Sequence, residues 1–231
     1  SGGILTIQTP YFYSNVVFDA KTNNVNLKMR IDAYSGTSST FFNDSRTVVF
    51  RSGAQILLPG SGLPIAENTD YYNFSDFRVD ASGITMHAGS LMDIGNPLNR
   101  SGIAFLRADW LYNPGFIGGN VKAGTTRFEV DSFSGTPTVI NAWNLDFQTK
   151  SKSGILLGTN SCSSVNFCFS DMAQFFTGSW KEAEVSNHVN PTAYIEVVGA
   201  FNPRAQNFHL NARGNVFISS PLTVDGELDI W

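Results

Sequence analysis

Phe77-Arg78-Val79-Asp80-Ala81-Ser82-Gly83-Ile84-Thr85-Met86 is the stretch that decides how this chain is read. Apolar residues alternate with polar ones at Phe77 and Val79, an Asp follows, a Gly closes the turn, and a second apolar segment opens at Ile84. The pattern returns at Phe128-Glu129-Val130-Asp131-Ser132-Phe133-Ser134-Gly135, followed by Thr138-Val139-Ile140. It returns again at Phe208-His209-Leu210-Asn211-Ala212-Arg213-Gly214-Asn215-Val216-Phe217-Ile218. A weaker copy runs from Val16-Val17-Phe18-Asp19-Ala20-Lys21 to Asn24-Val25-Asn26-Leu27. Alternation with a period of two, broken by turn residues, predicts strand, turn, strand. An Asp at Asp80 accepts hydrogen bonds from backbone N–H groups further along its turn. Gly83 supplies the positive φ that a four-residue hairpin loop uses. On that reading Val79 pairs with Ile84 and Phe77 with Met86, and Leu210 pairs with Val216 and Phe208 with Ile218. The apolar positions Phe77, Val79, Phe128, Val130, Phe208 and Leu210 then form the core of the repeat. The copies are short and unevenly spaced, so they are either one structural repeat or the separate hairpins of an ordinary β-protein.

The remaining strand candidates confirm the class. They are Thr47–Arg51, Gln55–Leu58, Asp76–Asp80, Ile84–Met86, Ile103–Arg107, Arg127–Val130, Thr138–Asp146, Ile155–Leu157, Ala193–Val198, Phe208–Leu210 and Asn215–Ile218. Helical periodicity is confined to Asp171–Phe176 and Trp180–Val185, and the second also alternates like a strand. The expectation is an all-β chain of many short strands, folded as a β-sandwich or jelly roll or as a β-solenoid-like stack. At the end of the chain, a tight Asp225-Gly226 hairpin would put Val224 with Glu227 and Leu222 with Asp229, mixing apolar and acidic side chains on one face. A solenoid-like corner, or a looser loop that pairs Val224 with Leu228 and Leu222 with Ile230, keeps the faces clean, and a corner is expected there rather than a tight isolated hairpin.

With 231 residues, residues 1–231 are read as a single β-rich unit, with soft seams near 35–40 and 158–164. Charged residues make up 15% of the chain, against about a quarter in ordinary domains. Gly (21) and Phe (19) are abundant. A net charge of −4 argues against nucleic acid as a partner, because phosphate contacts need clustered Lys and Arg. The longest apolar runs are as short as Ile155-Leu156-Leu157, so no membrane-spanning helix and no membrane insertion is expected. No signal-peptide pattern is visible, and the start at Ser1 reads as a fragment or processed product. Trp231 reads as a cut point or a subunit contact. Cys162 and Cys168, six residues apart, either bridge a turn in an oxidising compartment or stay as free buried thiols. A metal site is not expected, because two thiols need two more ligands and His87, His188 and His209 are distant in sequence. No cofactor is expected.

Thr125-Thr126-Arg127-Phe128-Glu129-Val130-Asp131, Phe77-Arg78-Val79-Asp80-Ala81-Ser82-Gly83 and Leu222-Thr223-Val224-Asp225-Gly226-Glu227-Leu228-Asp229-Ile230 resemble bacteriophage tail-fibre and related receptor-binding virion proteins. The stretch from Gly154 to Asn190 does not share the resemblance. What it implies is a viral structural protein of the virion, homotrimeric, used for host attachment and receptor binding. Its partners would be its own copies, other virion proteins, and a host surface glycan or protein. A hairpin with one apolar face cannot bury that face alone, and three chains wound about an axis can. On this view the phenylalanines line the trimer axis. The alternative is that they fill the core of one chain. A secreted or cell-surface location is the alternative to the virion.

Catalytic signatures are absent from the sequence: it contains no Gly-x-Ser-x-Gly, no His-Glu-x-x-His and no phosphate-cradling Gly loop. The nearest pair of acids is Glu182 and Glu184 after Trp180, which share one face of a strand; Asp93 and Asp109 stand apart from them. The expected function is non-catalytic. Sugars stack on exposed aromatics with polar neighbours, and Trp110, Tyr112, Trp143 and Trp180 are the candidates for such a surface contact. The aromatic run Phe167, Phe169, Phe175, Phe176 and Trp180 forms either a contact surface or a local core. Three readings compete with the attachment fibre: a jelly-roll capsid or decoration protein, a secreted carbohydrate-binding adhesin, and a glycan-cleaving enzyme.

Overall fold

The computed structural model describes residues 3–8, 12–14, 17–19, 27–32, 47–58, 76–94, 101–113 and 120–231. Among them the chain is nearly all β, and every strand pairing is parallel. Parallel neighbours cannot be joined by a tight turn, so the chain must travel away and return between paired strands. It does this coil by coil. β1 (Gly3–Gln8), β2 (Phe12–Ser14) and β3 (Val17–Asp19) come first. β4 (Leu27–Asp32), β5 (Thr47–Phe50) and β6 (Gln55–Leu58) lie on them in the same order. β7 (Asp76–Asp80), β8 (Gly83–Met86) and β9 (Leu91–Ile94) lie on β4, β5 and β6.

β10 (Ile103–Ala108) and β11 (Trp110–Asn113) continue on β7 and β8. The long β12 (Asn120–Val130) pairs through its first half with β9 and through its second with β10. β13 (Phe133–Gly135) lies on β11, and β14 (Thr138–Gln148) follows both halves of β12. Next come β15 (Gly154–Leu157), β16 (Asn166–Phe169), a 3-10 turn at Met172–Gln174, β17 (Phe176–Ser179) and β18 (Glu182–Asn187). β17 and β18 take the two halves of β14 as partners. β19 (Tyr194–Val197), β20 (Asn207–Ala212), β21 (Val216–Ile218) and β22 (Leu228–Ile230) pair with β15, β18, β19 and β20 respectively. A single parallel bridge, Phe201 to Leu222, continues the remaining side.

The predicted strands are present, but their predicted pairing is not. Val79 pairs with Ile31 and Leu106, and Ile84 with Val48 and Leu111. Phe77 pairs with Met29 and Ala104, not with Met86; Leu210 pairs with Val185 and Ile230, and Val216 with Ile195. Each repeat copy is therefore a corner, where the chain leaves one sheet for another, and not a hairpin. The corner is tied to the coil stacked on it: Ala81 N donates to Arg107 O at 3.0 Å and Asp109 N to Ser82 O at 3.0 Å. Gly83 also has a different role from the one predicted. It lies within β8 and is not among the glycines at positive φ. Its missing side chain makes room for the Trp110 ring, which occupies the space a Cβ would fill. Sandwich and jelly-roll ladders are antiparallel, unlike those described here. The weaker copy falls partly outside the described residues: Val17–Asp19 is β3, Leu27 opens β4, and 20–26 are not described. The seam near 35–40 is likewise outside, and 158–164 lies in the connection between β15 and β16.

The repeat-core residues Phe77, Val79, Phe128, Val130, Phe208 and Leu210 are all fully buried within the one chain. This corrects the expectation that the phenylalanines line a trimer axis. Stacked inward positions cover one another coil by coil, so each face that a lone hairpin would leave open is closed by the next rung. The cover runs out at β22, where Leu228 and Ile230 are 40% and 47% exposed.

Among the described residues, an extra strand is added at one place. β16 pairs with β15 on the edge opposite β19, so this side holds two strands where the β12–β14–β18 ladder holds one. An added strand widens a sheet by about 4.8 Å. Phe133, Phe147, Phe167, Phe169, Phe175 and Phe176 pack together inside this part of the fold, with neighbouring ring centroids such as Phe133–Phe175 at 4.7 Å and Phe147–Phe167 at 4.9 Å. The aromatic run of the sequence is thus core, not a contact surface. It lies within Gly154–Asn190, the stretch that lacks the repeat phrases.

Candidate functional site

Polar residues on the outer side of the long ladder fall into register with one another. Arg78, Phe105, Arg127, Asp146, Glu184, His209 and Asp229 occupy one position on successive strands. Asp80, Arg107, Glu129, Gln148, Ser186 and Asn211 occupy the next outward position. Parallel pairing sets the rungs about 4.8 Å apart, so opposite charges in a column meet directly. Arg107 donates from Nε to Glu129 Oε1 at 2.8 Å and from Nη1 to Asp80 Oδ2 at 3.2 Å, joining three coils. Burial works against its charge, but Glu129 and Asp80 outweigh this and raise its pKa. Asp80 is thus used by the neighbouring coil and not by its own turn. The Arg78 guanidinium lies 4.7 Å over the Phe105 ring, and His209 Nδ1 is 3.1 Å from Asp229 Oδ2.

Asp146 is the unusual member of the column. Its side chain is 1% exposed, and Oδ2 accepts from Arg127 Nε at 3.0 Å and Nη2 at 2.7 Å. Burial pushes its carboxyl up to about 6; Arg127 pulls it down and the neighbouring Glu184 pushes it further up. Asp131, the Asp of the second repeat copy, shows the opposite balance. Burial would raise its pKa, but the Ser151 and Thr149 hydroxyls and the Ser151 and Lys150 N–H groups donate to it and hold it below the ordinary carboxylate range. It locks the next corner of the path, and Lys150 in turn reaches Asp109 at 2.6 Å. Asn187, fully buried, donates from Nδ2 to the carbonyls of Lys152, Ser153 and Tyr194.

The four aromatic candidates do not form one platform. Trp110 is half-buried against Gly83. Tyr112 sits on the same strand, in register with Thr85 and Ser134, and its side chain lies outside the described residues. Trp143 is half-buried at the junction of the two halves of β14, with Lys181 Nζ 4.4 Å above its ring and the hydrogen-bonded Asn141 and Ser179 nearby on the same outer side. Trp180 is 8% exposed and donates its indole N–H to Pro203 O at 3.2 Å, so it is core and not a surface contact.

Glu182 and Glu184 do share a face of β18, as alternation predicts, but the buried Trp180 does not join them. Glu184 accepts from the Ser186 hydroxyl at 2.8 Å. Asp93 lies in register with Lys122, and Asp109 is taken by Lys150. Cys162 and Cys168 form a disulfide across the chain's turn into β16, with Cα atoms 6.1 Å apart. Asp146 and Asn187 were not legible as special, and Asp131 was legible only as the Asp of its repeat copy, not by its partners. Their sequence signal is ordinary, and only the stacking of distant segments gives them partners.

Comparison with known proteins finds no matching family model, no matching curated protein and no matching solved structure.

Proposed function

We propose that this chain is a β-solenoid-like, non-catalytic structural and adhesive component of a virion, as in a tail fibre or similar appendage that meets a host surface. One observation carries the reading. Outward charged side chains of the long ladder pair from rung to rung, as Arg107 does with Asp80 and Glu129. Side chains spent in this way stiffen a stack and leave its sides as a surface for contact. The buried phenylalanine column supports a scaffold that is complete within one chain. Assembly as a homotrimer therefore has to use outer surfaces or the open rungs, not the buried phenylalanines of the repeat core. Other virion proteins and a host glycan or protein are the partners of this reading.

Light scattering tests the assembly: a stable mass near three times 25.2 kDa supports the trimer, and a mass near 25.2 kDa overturns it. A glycan array tests adhesion at the same time. The half-exposed Trp143, with Lys181, Asn141 and Ser179, favours a secreted carbohydrate-binding adhesin as the second reading. That reading gains if a monomer binds the array and Trp143→Ala abolishes binding.

A further inference from the structure

β16 has one pairing partner, β15, and its other edge pairs with no described strand; β13 and β17 also have one partner each, but only β16 carries a disulfide. The chain reaches it from β15 through residues 158–165, and residues 160–165 are all exposed. That connection starts at Gly158, at φ +86, where a Cβ would strike the Gly199 backbone. It is tied down by bonds at exposed residues: Lys152 Nζ to Ser164 O at 2.8 Å, Ser153 N to Val165 O at 2.9 Å, and Ser161 N to Thr159 Oγ1 at 3.1 Å. The only covalent tie is Cys162–Cys168, from the exposed connection into the strand itself. β16 carries Phe167 and Phe169 into the aromatic interior, where both pack against Phe147.

We propose that the Cys162–Cys168 disulfide is a redox latch on an insertable strand. With the bond closed, β16 fills the second place on its side of the coil. With the bond reduced, β16 opens from the edge of β15 more often, and Phe167 and Phe169 are uncovered each time it does. The reductant is a dithiol. Its thiolate attacks the exposed Cys162 Sγ, the S–S bond breaks, and Cys168 leaves as thiolate and takes up a proton. The second thiol of the reductant then displaces Cys162, which is also protonated, and the reductant is left as a cyclic disulfide. Two electrons and two protons pass to the protein. The neighbouring strands keep their backbone pairing without β16, though Phe147 loses its contacts with Phe167 and Phe169: β14 keeps β12, β17 and β18, and β15 keeps β19. The change is local for that reason.

The test is hydrogen exchange on the full chain, oxidised and after reduction with dithiothreitol and alkylation of the freed thiols. The expected result is exchange at least tenfold faster at 166–169 in the reduced chain, with β12 and β18 unchanged. Equal protection of 166–169 in both forms would make the bond a passive staple and overturn the latch. Loss of protection throughout the chain would overturn it too, because the release would then be global. So would two free thiols in the untreated protein. Cys162→Ser with Cys168→Ser, if it folds, should match the reduced chain without alkylation.

Discussion

Two aspartates of the same outer surface respond to pH with opposite sign, and this follows from what surrounds each. Asp146 has its folded pKa raised from 3.8 to about 6 by burial. The folded state therefore holds a proton that the unfolded state has lost between those values, and stability falls as pH rises through that window. This one group should weaken the fold by about 1 kcal/mol between pH 5 and pH 7.5. Asp146→Asn removes the titration, so its effect relative to wild type should become more favourable by about that amount over the same range. Urea unfolding at the two pH values reads this, and a pH-independent difference would show that the buried carboxyl does not titrate there. Asp131 has its folded pKa lowered. Its contribution is present above the ordinary carboxylate value and is lost as pH falls through the folded one. Asp131→Ala strips acceptors from two hydroxyls and two backbone N–H groups and should cost about 1–3 kcal/mol at pH 7, read by the same titration.

At the scale of the element, burial predicts sharply different costs for the same truncation. Phe169→Ala removes a fully buried ring between Phe147, Phe175 and Phe201 and should cost about 3–5 kcal/mol in thermal or chemical unfolding. Phe217→Ala, on β21 at a residue 47% exposed, should change stability by about 0.5 kcal/mol or less. Equal costs would mean that the Phe217 face is covered in solution. Strand positions of this kind were legible in the sequence because alternation is local. Gln55–Leu58 and Asp76–Asp80 were read to the residue, and the Trp180–Val185 window is strand from Glu182 on, as its alternation also suggested. Partners were not legible. Asp80-Ala81-Ser82-Gly83 suits a hairpin and a corner equally, and what decides between them is the return of Thr47–Phe50 and Trp110–Asn113 to either side of β8. The phenylalanines were open for the same reason: an apolar face reads alike whether its cover comes from the next coil or from another chain. The C-terminal corner could be read because the tight turn at Asp225-Gly226 would have mixed acidic and apolar side chains. The chain does turn there, with Leu222 bridging Phe201 and Leu228–Ile230 on β20.

For the whole molecule, stacking makes stability a matter of neighbours. Each coil contacts chiefly the coil on either side, so local stability should follow how many such contacts a rung has. β12 and β14 have partners on both edges along their length and no exposed inward side chain. β22 has one partner, β20, and leaves Leu228, Ile230 and Trp231 at 40%, 47% and 62% exposure. Trp231 is held by stacking on His209 at 5.6 Å, and Trp231 N donates to Leu210 O at 2.9 Å. Native-state hydrogen exchange on the 231-residue chain should therefore show a gradient, with β12 and β14 the slowest and β22 faster by orders of magnitude. Opening of β22 removes one interface, whereas opening of β14 breaks two. Uniform protection from β12 to β22 would mean one of two things: either the coils unfold as a single cooperative block, or the β22 rung is covered by another molecule. Dilution separates these, because only protection by a partner decays as the protein concentration falls.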